Sequence, residues 1–215
     1  MKIICVGLNY RKHAAEMNRP VPAEPMIFLK PDSAILKKNK PFFIPDFSED
    51  LQYEAEIVLR ISKLGKGIAA TYAGRYFDAL TVGIDFTARD LQNKFSKAGH
   101  PWELSKTFDG SAPLGTFIPK EKFADMADIS FTLDINGARR QSGNTSDLIF
   151  SFNEIISYVS RFYTLKTGDL IFTGTPSGVG PVQKGDNLVA SLEGETVLDF
   201  LSNSAGGKPC SVSLY

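Results

Sequence analysis

Leu51-Gln-Tyr-Glu-Ala-Glu-Ile-Val-Leu-Arg-Ile61 reads as a long strand that carries two acids on one face. Tyr53, Ala55, Ile57 and Leu59 share one parity, and Glu54, Glu56, Val58 and Arg60 share the other. The two carboxylates therefore converge, with their Cα atoms roughly 6–7 Å apart. Adjacent anions repel, and burial makes each costlier to keep ionised, a conflict that a divalent cation resolves. By itself Glu-x-Glu is more often the solvated face of an edge strand.

Asp85 shifts that balance. It falls in the apolar run Val82-Gly83-Ile84-Asp85-Phe86, where a carboxylate rarely sits without a partner. Three carboxylates with no companion Cys or His suit a hard ion, Mg²⁺ or Mn²⁺, rather than zinc. Spacing alone still leaves the metal site and the solvated face both open.

Working outward, Lys2–Leu8 reads as a short buried strand, and Asn9 as the cap of a helical turn over Tyr10–Met17. On that turn His13 and Glu16, at i and i+3, share a face, so the carboxylate can orient the imidazole as a general base. The bland alternative is a surface histidine with a chance acidic neighbour. Pro25 to Pro45 reads as loop with one apolar piece, Met26–Leu29. Thr71–Leu80 resembles a short helix and Thr81–Phe86 a second buried strand. Thr87 and Asp90 form a capping-box pattern ahead of a turn carrying Arg89 and Gln92. Lys106 is a lone cation in an aromatic-flanked segment, able to neutralise a developing negative charge or simply solvated. His100 reads as a loop residue before Pro101.

Further on, Phe131–Ile135, Asn136-Gly137 and Ala138–Gln141 form a hairpin, since Asn-Gly supplies both positive-φ positions of a type I′ turn. Ser151 and Glu154 make another capping box, opening a helix with Ile155, Ile156, Val159 and Phe162 on one stripe. Asp169–Thr173 and Asn187–Leu192 read as strands. Thr173-Gly-Thr-Pro-Ser-Gly-Val-Gly180 is a glycine-rich loop without a Walker ending, able to hold a small carboxylate on backbone amides. Strands outnumber helices without βαβ regularity, which points to antiparallel or mixed sheets with helices outside.

Composition removes other classes. The 24 Lys and Arg balance 24 Asp and Glu, which argues against nucleic acid or a polybasic membrane anchor. No run approaches the ~20 apolar residues of a membrane span, and the first apolar run is too short for a signal peptide, so a cytoplasmic location is expected. Cys5 and Cys210 match no metal or redox spacing and read as reduced, partly buried thiols.

In order, the chain shows Gly7-Leu-Asn-Tyr-Arg-Lys-His13-Ala-Ala-Glu16, Phe28-Leu-Lys30-Pro31 and Tyr53-Glu-Ala-Glu56. There follow Asp85-Phe-Thr-Ala-Arg89-Asp-Leu-Gln92, Lys106-Thr-Phe-Asp109, Asn136-Gly137 through Arg140-Gln141, and Gly168-Asp169 leading to Thr173-Gly-Thr-Pro176. This series resembles the fumarylacetoacetate hydrolase family over nearly the whole chain. Its short length and Pro101-Trp-Glu-Leu-Ser-Lys106 are most similar to the acylpyruvate hydrolase and oxaloacetate decarboxylase branch.

The resemblance implies an α/β chain of the α+β kind, a mixed β-sandwich roll of the family's C-terminal-domain type with a few peripheral helices. Residues 1–215 would form a single catalytic domain, usually in a homodimer. It places Mg²⁺ or Mn²⁺ on Glu54, Glu56 and Asp85, and makes His13 and Glu16 a catalytic pair on a lid that orders over substrate. Lys106 joins them in catalysis, while Lys30, Arg89, Gln92 and Thr175 fall where the family contacts a small 2-oxo acid. The implied activity is hydrolysis of the C–C bond of acylpyruvates, with decarboxylation of oxaloacetate through the same metal-stabilised pyruvate enolate. The rival is an isomerase or tautomerase of 2-hydroxy-dienoates or 2-oxo diacids. A silent binding protein on this fold is a third reading, which the intact acidic trio and dyad oppose.

Overall fold

The computed structural model describes residues 1–36 and 40–204, so Cys210 lies outside the described residues. The fold is mixed α+β, mostly strands in several sheets. A six-stranded sheet runs Ile118–Pro119, Phe77–Ile84, Ala55–Ile61, Leu170–Phe172, Ile3–Gly7, Met26–Lys30. A five-stranded sheet runs Ala138–Asn144, Ser130–Ile135, Asn187–Leu192, Glu195–Ser204, Phe42–Ile44. Each sheet contains one parallel pair, Ile3–Gly7 with Leu170–Phe172 and Glu195–Ser204 with Phe42–Ile44; the other pairs in both are antiparallel.

The two sheets share one core. Ile57, Leu59, Val82 and Ile84 from the first meet Phe131, Leu133, Leu188 and Ala190 from the second. The helix α4, Phe152–Phe162, adds Ile155, Ile156 and Val159 of its apolar stripe to the same cluster, whereas Phe162, expected on that stripe, is exposed at the helix end. Its Ser151 and Glu154 form the full capping box read from sequence. On the other face of the six-stranded sheet, Val58 packs with Ile3, Cys5, Phe28 and Phe172 in a smaller cluster. Strand Ala55–Ile61 is thus apolar on both faces and paired on both sides, so its acids do not sit on a solvated edge.

Several local expectations change. Leu51–Ile61 is not one strand: it breaks at Glu54 into Leu51–Tyr53 and Ala55–Ile61. Thr71–Leu80 is not a helix. The helix α2 covers only Ala70–Ala73, and after Gly74 the chain becomes strand Phe77–Ile84, because pairing along Ala55–Ile61 overrides local preference. The Met26–Leu29 piece is a strand reaching Lys30. The Asn-Gly turn keeps both positive φ values, 53° at Asn136 and 77° at Gly137.

Neither proposed cap on the N-terminal side forms. Helix α1, Arg11–Glu16, starts without a side-chain cap. Asn9 instead donates to the carbonyls of Phe150 (3.0 Å) and Thr173 (2.8 Å) and accepts from Phe150 N (2.8 Å), tying three segments together. Thr87 does not cap either. Asp90 binds Ser48 Oγ at 2.7 Å, and α3 runs for ten residues, Arg89–Ala98, to the left-handed Gly99.

Candidate active site

The break at Glu54 is what builds the site. Asp85 is the first residue beyond strand Phe77–Ile84, and its N–H donates to Glu54 O at 2.8 Å. Two neighbouring strands therefore end their ladder at the same level, and the side chains of Glu54, Glu56 and Asp85 converge. Each contributes an oxygen, and the three oxygens lie within 4.8 Å of one another. All three residues are buried, and all line a cavity of about 590 Å³.

Cations surround the trio unevenly. Lys106 Nζ lies 2.6 Å from Glu54 Oε2 and 2.7 Å from Asp85 Oδ2, so one ammonium bridges two carboxylates. Arg89 pairs with the other oxygen of Glu54 and also reaches Gln92 and Gln52. Burial alone would raise the Glu54 pKa, but Lys106 and Arg89 together hold it down to about 2. Burial likewise opposes the charge on Lys106, yet Asp85 and Glu54 raise its pKa above the usual lysine value.

Glu56 has no such partner. Among the described residues its Oε2 accepts only the N–H of Gly174, at 2.7 Å. Burial, and then the charge of Asp85, push its carboxyl well above the usual range, with Glu54 adding to the effect. Gly174 is held at φ +105°, and a Cβ there would lie 2.6 Å from that of Asn9, so glycine is what lets this amide reach the acid.

Lys30 lies behind the trio rather than along the cavity wall. Its Nζ is 2.8 Å from Asp85 Oδ1 but donates to Lys106 O and Ser111 Oγ, so among the described residues no donor is aimed at that buried Asp85 oxygen. An unsatisfied carboxylate oxygen and an uncompensated neighbouring glutamate are what a hard oxygen-seeking cation would relieve, so the donor set fits Mg²⁺ or Mn²⁺.

At the cavity wall formed by α1, His13 Nδ1 lies 2.9 Å from Glu16 Oε2, and Glu16 Oε1 accepts from Gly178 N at 2.9 Å. A carboxylate only accepts, so Nδ1 carries the proton and Nε2 is left as the base. Gln92 and Thr175 also line the cavity, as does exposed His100 at its rim. Met26, Phe28 and Trp102 supply an apolar side, with Phe28 and Trp102 edge-to-face at 5.1 Å. The Lys106 ammonium lies 5.3 Å from the Phe28 ring centre.

All ten residues singled out in the sequence fall in or directly around one site. Sequence reasoning gave no role to Ser111 or Gln141 and took Asn9 only for a helix cap. Each is a buried polar residue with at least one partner distant in sequence, and their local patterns carry no mark of that.

Residues 2–200 match the family described as Fumarylacetoacetate (FAA) hydrolase C-terminal. The mitochondrial oxaloacetate tautomerase FAHD1 of Bos taurus is 41% identical over 198 residues, spanning 92% of this chain and 90% of the relative. The oxaloacetate tautomerase YcgM of Escherichia coli K12 is 40% identical over 197 residues, spanning 91% and 90%. Fumarylpyruvate hydrolase from Pseudomonas aeruginosa, whose crystal structure holds Mn²⁺ and pyruvate, superposes with a TM-score of 0.89 at 35% identity, covering 95% of this chain and 90% of that one.

Proposed function

The chain belongs to the fumarylacetoacetate hydrolase family, and from that premise we propose that it is a divalent-metal-dependent enzyme interconverting keto and enol forms of a small 2-oxo dicarboxylate, oxaloacetate first. The observation that carries this reading is the charge of the buried site. Glu54, Glu56 and Asp85 are matched by Lys30, Lys106 and Arg89, so the protein groups cancel. A bound divalent cation then leaves a double positive charge, which complements a dianion such as oxaloacetate. The named oxaloacetate tautomerases at 40–41% identity support the same choice.

When bound by the trio, Mg²⁺ or Mn²⁺ supplies Lewis acidity that polarises the substrate's 2-oxo group. Arg89, Gln92 and Thr175 hold a carboxylate of the substrate. His13, oriented by Glu16, takes the proton from carbon 3. The negative charge that moves to the 2-oxo oxygen is stabilised by the buried Lys106, and the proton returns to that oxygen. Lys30, behind Asp85, orients a ligand rather than touching substrate. No helix among the described residues is long and apolar enough to cross a membrane, and the reading carries a cytoplasmic homodimer.

Hydrolysis of acylpyruvates is the second reading, favoured by the same dyad. His13 and Glu16 could instead activate a water against the distal carbonyl, leaving pyruvate and a carboxylic acid. One assay set separates the two. With Mg²⁺ present, the tautomerase reading expects fast decay of the oxaloacetate enol absorbance and slow release of pyruvate from acetylpyruvate. The reverse ranking would establish the hydrolase reading, and no effect on either substrate would refute both.

A further inference from the structure

Gln141 sits on strand Ala138–Asn144, at the outer side of the five-stranded sheet, between the exposed Arg140 and Ser142. Its own side chain is buried, at 1% exposure, and points to the other sheet. Its Oε1 accepts the N–H of Ala55 at 2.9 Å. Its Nε2 donates to Thr175 Oγ1 at 2.8 Å and to Pro176 O at 2.9 Å. A carboxamide has two N–H donors, and both are used here on the loop that closes the site. That loop is seated flush on the strand, since a Cβ at Gly178 would come within 2.5 Å of Arg140 O.

Both contacts bear on the chemistry. Ala55 is the residue between Glu54 and Glu56, where the long strand breaks. Thr175 has one hydroxyl proton, and Gln141 cannot accept it because its Nε2 is already donating to that oxygen. Among the described residues nothing else accepts it, while Thr175 lines the cavity.

We propose that Gln141 is a positioning residue: it fixes Thr175 as a hydrogen-bond donor toward a substrate carboxylate and holds the Ala55 peptide that spaces Glu54 from Glu56. The Thr175 half rests on the 2-oxo acid reading above, and the Ala55 half rests on the metal site alone.

Calorimetric titrations of Mn²⁺, and of pyruvate into the Mn²⁺-loaded protein, test both halves. The set is wild type, Gln141→Leu, Gln141→Asn, Thr175→Val, Thr175→Ser and the Gln141→Leu/Thr175→Val double variant. Gln141→Leu and Thr175→Val should each weaken pyruvate by about tenfold, the loss expected for one hydrogen bond to a charged group. Thr175→Ser should retain affinity, and the double variant should bind no more weakly than Gln141→Leu, because both changes remove one hydroxyl contact. Mn²⁺ affinity should fall severalfold in both Gln141 variants. Gln141→Asn keeps the amide but is one methylene short, so it carries the test if the leucine variant does not fold.

Additive losses in the double variant, or pyruvate affinity unchanged in folded Gln141 variants, would overturn the Thr175 half. Unchanged Mn²⁺ affinity in those variants would overturn the Ala55 half. Wild-type protein that binds Mn²⁺ but not pyruvate would refute the functional reading and the Thr175 half together, with the Mn²⁺ titrations still deciding the other.

Discussion

Glu54 and Glu56 are two residues apart, equally buried, and electrostatically opposite. Glu54 faces the cationic side of the site, where Lys106 and Arg89 hold its pKa at about 2. Glu56 faces the side served by one backbone amide, and burial with the Asp85 charge raises its pKa. The contrast shows where positive charge is missing. A cluster meant only to stabilise the fold would place its cations evenly; this one leaves its deficit at a carboxylate open to a cavity.

The largest effect should come from breaking the deficient side. Glu56→Gln should lower turnover of a 2-oxo acid by at least about a thousandfold, several kcal/mol of lost Lewis-acid stabilisation. It should also raise the melting temperature of the metal-free protein at neutral pH, because a costly buried charge is gone. Glu54→Gln should do the opposite to stability, by about 3–5 kcal/mol, since it leaves Lys106 and Arg89 underpaired in the interior. Thermal melts of both variants side by side check the contrast; equal shifts would erase it.

His13→Ala should follow, with a loss of about a hundredfold or more in kcat and unchanged Mn²⁺ affinity. Kinetics at saturating metal, beside a metal titration, separate the two.

The pH dependence sharpens the comparison further. Glu56 has a raised folded pKa, so it binds a proton on folding, and metal-free stability is lost as pH rises from 4.5 through that raised value. Glu54 has a lowered one, so its contribution is present above 4.5 and is lost as pH falls toward about 2. Added Mn²⁺ should therefore stabilise the protein more at pH 8 than at pH 5, as melts at the two pH values would show.

The smallest effect belongs to the periphery. Ser151→Ala removes the α4 cap and should cost about 1 kcal/mol of stability without altering kinetics.

What could be read from sequence followed the same division. The acidic trio was legible because carboxylates inside apolar runs are rare enough to signal a purpose, and their ordered neighbours carried the family resemblance. The α4 capping box and the Asn136-Gly137 turn were legible because their partners are adjacent in the chain. Strand Phe77–Ile84 was misread in part as helix, because its pairing with Ala55–Ile61 is a tertiary fact. Asn9 was misread as a cap, since its true partners, Phe150 and Thr173, lie more than 140 residues away. The break at Glu54 escaped notice too, although it decides how the acids converge. Gln141 was legible only as part of a motif, because nothing near it in the chain foretells that it reaches across to Ala55 and Thr175.

The most direct test of the central claim is the rate of oxaloacetate enol decay in chelated wild-type protein as Mn²⁺ is added back, with Glu56→Gln beside it. The account predicts a saturable rise in the wild type and no rise above the metal-only blank in the variant. A rate that ignores Mn²⁺, or one that rises equally in both proteins, would contradict it.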